Sequence, residues 1–408
     1  MERAAVEDAK PAAGRRVALG GLIAGHAVIH WYQQSFFVIL PEIARSLSLS
    51  PVQIGGITGF RQIAGGVVNL PAGLLSDTFR RYTSFLLAIS IAWIGLAYVI
   101  VGFAPSYPFV LIGMALVGIG SSLWHPPAMG TLARLWADRR GLALSLHGTG
   151  ASIGDTAAPI AVGALLVALE WRDVLKLGFL PGLFFAAAIA LGLRGIYAQG
   201  KERKSPSGSH LRALRGLVGN FRLLTLLLAG GIRAMGQMTI VTFLPIYLRE
   251  DLGYSSAGVG LYLSLLTFMG MGSQPVLGWL SDRVGRKPVL VPSITLLSIL
   301  VFLIIWAKPG YQLTLLVAAM GLFFYALGSI VMAFGMDIAG RDAESTTVGL
   351  IFGSNLIFGA ASPVIAGAIV GATETRMAFV YVAALQLLAA LAFALLPARR
   401  PATVKAPM

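Results

Sequence analysis

The sequence predicts an all-α membrane protein of twelve transmembrane helices in two pseudo-symmetric six-helix bundles. Three observations carry that expectation. The 408 residues are 57% hydrophobic and 12% charged, with mean hydropathy +0.80, too apolar for a soluble domain of this length. Apolar runs of about 20 residues, enough to cross a hydrocarbon layer roughly 30 Å thick as a helix, recur along most of the chain. The chain also repeats itself. The stretch GLLSDTFRRY at Gly73 to Tyr82 returns as GWLSDRVGRKP at Gly278 to Pro288, placing Asp77 and Asp282 205 residues apart. At an offset of 204 or 205, Leu40-Pro41 matches Leu244-Pro245, Ser50 and Gly55 match Ser255 and Gly260, Pro71 matches Pro275, and Pro159 with Gly163 matches Pro363 with Gly367. Two halves descended from one unit account for this.

In chain order, residues 1–16 are polar and basic and read as a disordered cytosolic tail. The first bundle, 17–199, holds spans near 17–40, 52–75, 82–103, 108–133, 141–168 and 173–196. Residues 200–222, with Lys201, Arg203, Lys204, Arg212, Arg215 and Arg222 among Ser, Gly and Pro, form the one long loop and the expected linker. The second bundle, 223–396, holds spans near 223–248, 255–281, 288–307, 311–336, 345–370 and 376–396. Residues 397–408 form a basic tail. On this layout 23 of the 31 Lys and Arg residues fall on the side of the termini and six opposite. A bacterial-type inner membrane is the expected location, and that bias places both termini in the cytoplasm. It also explains the net charge of +14 without nucleic acid. The chain has no cysteine, which removes disulfides and thiolate metal sites.

Ionisable groups are costly in hydrocarbon, so those inside spans mark the chemistry. They are His26 and His30 in span one, Arg61 in span two, His125 in span four, His147 and Asp155 in span five, and Arg233 in span seven. Asp155 lies about 21 Å along its helix from Gly141, near the bilayer middle, at about 1.5 Å per residue. It is either a proton carrier, charged on one side and neutral on the other, or a fixed ion-pair anchor. His26 and His30, four residues apart, share a face with Gln33 and Gln34 and form a polar stripe suited to proton coupling or substrate contact. Satisfied packing histidines would look the same. Arg61 and Arg233 stay charged and require carboxylates, dipoles or an anionic substrate. With His125, Gln33, Gln237 and Asn355 they make up the expected substrate-binding set, which leans positive and favours an anionic or polar compound. No phosphate loop, paired catalytic carboxylates or Ser/His/Asp arrangement is evident, so no enzyme is expected. No cofactor or metal is expected either, because His125 and His147 lack a carboxylate at close spacing.

The repeated halves and the Gly-x-Leu-Ser-Asp turn after the second span of each resemble the major facilitator superfamily of transporters. Its loop motif is matched fully at Gly278 to Lys287, while the first copy keeps Gly73, Asp77, Arg80 and Arg81 and carries Phe79 where glycine is usual. GIGSSLWHP at Gly118 to Pro126, then Arg134 and Gly141-Leu142-Ala143, resembles the fosmidomycin-resistance branch. Gly148, Gly150, Gly154, Ala158-Pro159 and Gly163 resemble the superfamily's antiporter motif, although close helix packing alone also asks for such residues. The resemblance implies that spans one, four, seven and ten line a cavity, that three, six, nine and twelve face lipid, and that Asp77, Arg81, Arg134, Asp282 and Arg286 act as a gate. It further implies a secondary transporter, for which a monomer is expected. The depth of Asp155, with His30 and His26 beside it on span one, makes these the expected proton-coupling residues, although Asp155 and His30 depart from that branch's pattern. Efflux is the first reading. Import of an organic anion, or a non-transporting membrane sensor, are the alternatives.

Overall fold

Glycine or proline stands at several helix boundaries, as at Pro51, Gly178, Gly285 and Gly310, while Pro71, Pro159, Pro275 and Pro363 lie inside helices. The computed structural model describes residues 2–79, 82–136, 139–194, 219–339 and 344–397, and every regular element among them is helical. The first half contains α1 (Glu2–Ser46), α2 (Pro51–Thr78), α3 (Thr83–Gly102), α4 (Tyr107–Leu135), α5 (Arg140–Ala168), α6 (Trp171–Leu177) and α7 (Phe179–Gly192). The second contains α8 (Phe221–Ile246), α9 (Ser256–Val284), α10 (Arg286–Leu303), α11 (Tyr311–Phe324), α12 (Ala326–Ala339), α13 (Glu344–Ala372) and α14 (Met377–Leu395).

The helices differ from the expected spans in three ways. α1 starts at Glu2, so the backbone of most of the 1–16 segment is helical rather than disordered. Span six is interrupted at Gly178 and span ten at Tyr325, each giving two helices. Ten segments among the described residues are long and apolar enough to cross a membrane, from Thr83–Gly102 to Met377–Leu395. α1 and α2 are long enough but are not among them, since His26, His30, Gln33 and Gln34 dilute one, and Arg61, Gln62 and Asn69 the other. The 200–222 linker lies almost wholly outside the described residues. At its end the Asn220 side chain accepts from the Arg222 and Leu223 backbone N–H groups at 3.1 and 3.3 Å and caps α8.

The chain divides into two compact units. One comprises Met1–Leu49, Gly56–Arg203 and Tyr254–Ser264; the other comprises Ser50–Gly55, Lys204–Gly253 and Leu265–Met408. Each therefore takes in a short segment from beyond the 200–222 region. In the first unit α1 packs on α5, and α3 on α4 and α7; in the second α8 packs on α13 and α14, and α10 on α14. Two of these pairings are equivalent between the halves, α1–α5 with α8–α13 and α3–α7 with α10–α14, as a duplicated unit requires. The outer faces are apolar. Trp93, Leu96 and Ile100 of α3, Leu183, Phe184 and Leu191 of α7, Leu296 and Ile299 of α10 and Leu387 and Leu391 of α14 are exposed, the surface a hydrocarbon phase covers.

Candidate functional site

In the first unit the site depends on how closely α1 and α5 approach. A Cβ built at Gly154 would stand 2.2 Å from the Ala27 carbonyl oxygen, and one at Gly150 2.3 Å from that of Ile23. Only glycine permits this backbone contact. The same register places His30, one turn beyond Ala27, against Asp155, the residue after Gly154. His30 Nδ1 and Asp155 Oδ1 are 2.9 Å apart, with the side chains 21% and 14% exposed. One turn earlier, His26 Nδ1 lies 2.8 Å from the His147 carbonyl oxygen, and the two rings stack at 3.9 Å. A carbonyl only accepts, so His26 carries its proton on Nδ1 and leaves Nε2 with a lone pair. His125 of α4 joins from the other side, its ring centroid 5.4 Å from that of His26 and 6.3 Å from that of His30. Four of the chain's five histidines meet at one place.

Arg61 is buried on α2, its guanidinium 5.3 and 5.1 Å from the ring centroids of Phe36 and Phe37 on α1. Its Nε has no hydrogen-bond partner among the described residues. Cation–π contact compensates part of the cost of a buried guanidinium, up to about 2 kcal/mol where desolvated. The neighbouring α4 lies close, because Gly118 meets the Arg61 carbonyl directly. Gln33 is half-buried on α1.

In the second unit Arg233 is likewise buried, on α8. Its Nη1 donates to Gln237 Oε1 at 3.0 Å, one turn along the same helix. The Arg233 carbonyl accepts from Gln386 Nε2 at 3.2 Å, tying α14 to this turn of α8. Asn355 on α13 is half-buried, and its Oδ1 has no partner among the described residues. Ser354 beside it donates to the Leu227 carbonyl at 2.8 Å, fixing α13 on α8.

Of the expected gate, the copy in the second unit is well defined. Arg286 pairs with Asp282 one turn before it and, through Nε, with Asp337 of α12 at 3.0 Å, and its Nη1 donates to Ser281 Oγ at 2.9 Å. Lys287 Nζ donates to the carbonyls of Ala394 and Leu396 at 2.5 and 2.8 Å, where α14 ends with unpaired acceptors. Gly285 has φ +100°, so the motif's glycine makes the turn between α9 and α10. Arg81 and the side chains of Asp77 and Arg134 lie outside the described residues.

The fold thus assembles Asp155, His30, His26 and His125 in one unit, and Arg233 with Gln237 in the other. Sequence reasoning missed the Phe36 and Phe37 rings around Arg61, the role of Asp337, and the His147 stack. The adjacent aromatic pair one helix away from a lone intramembrane arginine was the available signal for the first; nothing local marked the other two.

The sequence profile of the Major Facilitator Superfamily matches residues 22–272 and 226–407. The chain is 25% identical over 373 residues to the fosmidomycin resistance protein of Escherichia coli, covering 91% of this chain and 90% of that one. It is 25% identical over 363 residues to a probable 4-methylmuconolactone transporter of Cupriavidus pinatubonensis, covering 83% and 80%. Among solved structures, a bacterial homologue of the human lysosomal transporter Spinster superposes with TM-score 0.79 at 17% identity, covering 93% of this chain and 96% of that one. The nucleoside transporter NupG gives 0.78 at 14%, covering 92% and 99%. With two matching segments that span nearly the whole chain, and all-helical units built from long apolar helices, this multi-pass membrane protein belongs to the Major Facilitator Superfamily of transporters.

Proposed function

We propose that the protein is a proton-coupled exporter of a small anionic or polar compound, working by alternating access in a bacterial inner membrane with both termini cytoplasmic. The observation that carries this reading is the 2.9 Å contact between His30 and Asp155 within membrane-spanning helices. A carboxylate–imidazole pair at that depth accepts one proton without leaving an isolated charge in hydrocarbon, and releases it when the surroundings change. Arg61 and Arg233, one per unit and neither set against a carboxylate in the contacts described above, supply positive charge for an anion. Similarity to a fosmidomycin resistance protein supports export. Similarity to a probable 4-methylmuconolactone transporter supports the second reading, uptake of an organic anion with protons.

The test is flux of anionic and cationic compounds in proteoliposomes under an imposed pH gradient, comparing wild type with Asp155→Asn. Anion movement against protons, lost in the variant, supports export and the coupling role together. Movement with protons selects uptake. Unchanged pH-driven flux in Asp155→Asn removes Asp155 from coupling.

A further inference from the structure

We infer that the first unit contains a binding site for one first-row divalent transition-metal ion, with His26, His30 and His125 as ligands and Asp155 as the positioning carboxylate. One ring nitrogen from each of the three histidines lies within 4.8 Å of the other two. In a tetrahedral zinc site with bonds of about 2.0–2.1 Å, ligand nitrogens stand about 3.3 Å apart. Closing from 4.8 Å takes movements on the order of 1 Å at each ring.

Two of the three rings make the hydrogen bonds a metal site requires. A ligating histidine characteristically donates its other N–H to a carbonyl or carboxylate, which sets the tautomer and the ring plane. His26 does so to the His147 carbonyl and His30 to Asp155, both through Nδ1. In its neutral form each ring then keeps a lone pair on Nε2. Three helices meet there, α1 giving two ligands, α4 the third and α5 the orienting groups. An all-imidazole set suits zinc, copper, nickel or cobalt, and lacks the oxygen ligands that calcium and magnesium demand. Three protein ligands leave one position of a tetrahedral ion for water or an anionic oxygen. The expectation of no metal considered His125 with His147; the fold instead brings His125 to His26 and His30 and sets Asp155, 125 residues from His30 in sequence, against His30.

The test is titration of the full-length protein in detergent, stripped with chelator and freed of any affinity tag, with zinc by calorimetry and with cobalt by visible absorption. One ion per chain is expected, with a cobalt ligand-field spectrum of a nitrogen-ligated site. His125→Ala and His26→Gln should abolish saturable binding, and Asp155→Asn should weaken it about 10- to 100-fold. His210→Ala, at the one histidine outside the cluster, should bind as wild type. Gel-filtration profiles identify any variant that fails to fold, and the two ligand substitutions lie on different helices, so one can replace the other. Absence of saturable binding in wild type, or wild-type affinity in folded His125→Ala or His26→Gln, overturns the assignment. Binding is read without a pH gradient, so its failure is distinct from a failure of transport.

Discussion

Gly154→Ala adds one methyl group to α5, and the geometry determines its effect. That carbon would lie 2.2 Å from the Ala27 carbonyl oxygen and 2.9 Å from the Trp31 backbone nitrogen. Carbon and oxygen without a covalent bond rarely approach closer than about 3.3 Å. α1 and α5 must therefore separate by about 1 Å at this level, and overpacking of this kind costs about 1–3 kcal/mol. The same shift carries His30 away from Asp155, now at 2.9 Å, to about 4 Å, beyond hydrogen-bond range. Gly148 on the same helix is the control, because a Cβ there meets nothing within 4 Å. Gly148→Ala should be neutral, or stabilising by up to about 1 kcal/mol through helix propensity. Equilibrium unfolding in mixed detergent micelles measures both, with pH-driven flux as the functional readout. Equal stability of the two variants would refute the claim that glycine at 154 sets the α1–α5 distance. Loss of stability in Gly154→Ala with intact flux would separate that distance from the function of the His30–Asp155 pair.

Arg61→Met should fold at least as stably as wild type, because a guanidinium at the bilayer centre costs about 2.5–3.5 kcal/mol and methionine is tolerated there, yet anion flux should fall; a marked loss of stability would make Arg61 a structural tether instead. Arg233→Gln should raise the KM for an anionic substrate about 10- to 100-fold, the equivalent of one charge-assisted hydrogen bond of about 1.5–3 kcal/mol, and should leave a neutral substrate unaffected; equal effects on both in flux assays would place Arg233 outside the anion site. Arg286→Gln removes two ion pairs of a partly exposed network, each worth about 0.2–1 kcal/mol. Turnover should therefore change more than KM, and an unaltered turnover number would count against the gate role.

The repeat at an offset of 204 or 205 residues was enough to anticipate two related all-helical halves, because long apolar runs in a bilayer have few ways to satisfy their backbone other than as helices. Helix interruptions at Gly178 and Tyr325, and helical backbone within residues 1–16, were not legible, since they depend on what each segment packs against. The loop motif pointed to Asp282 and Arg286 but not to Asp337, which lies 51 residues beyond Arg286 and shares no local pattern with it.

By itself the sequence determined which groups would be expensive to bury, and so which ones the proposed site uses: Asp155, the histidines and the two arginines stand out because hydrocarbon tolerates few such residues. Their partners were decided by tertiary structure alone. His30 and Asp155 are 125 residues apart, and they meet because Gly150 and Gly154 let two helix backbones touch. A contact across helices depends on register and axial distance, which one-dimensional spacing does not contain.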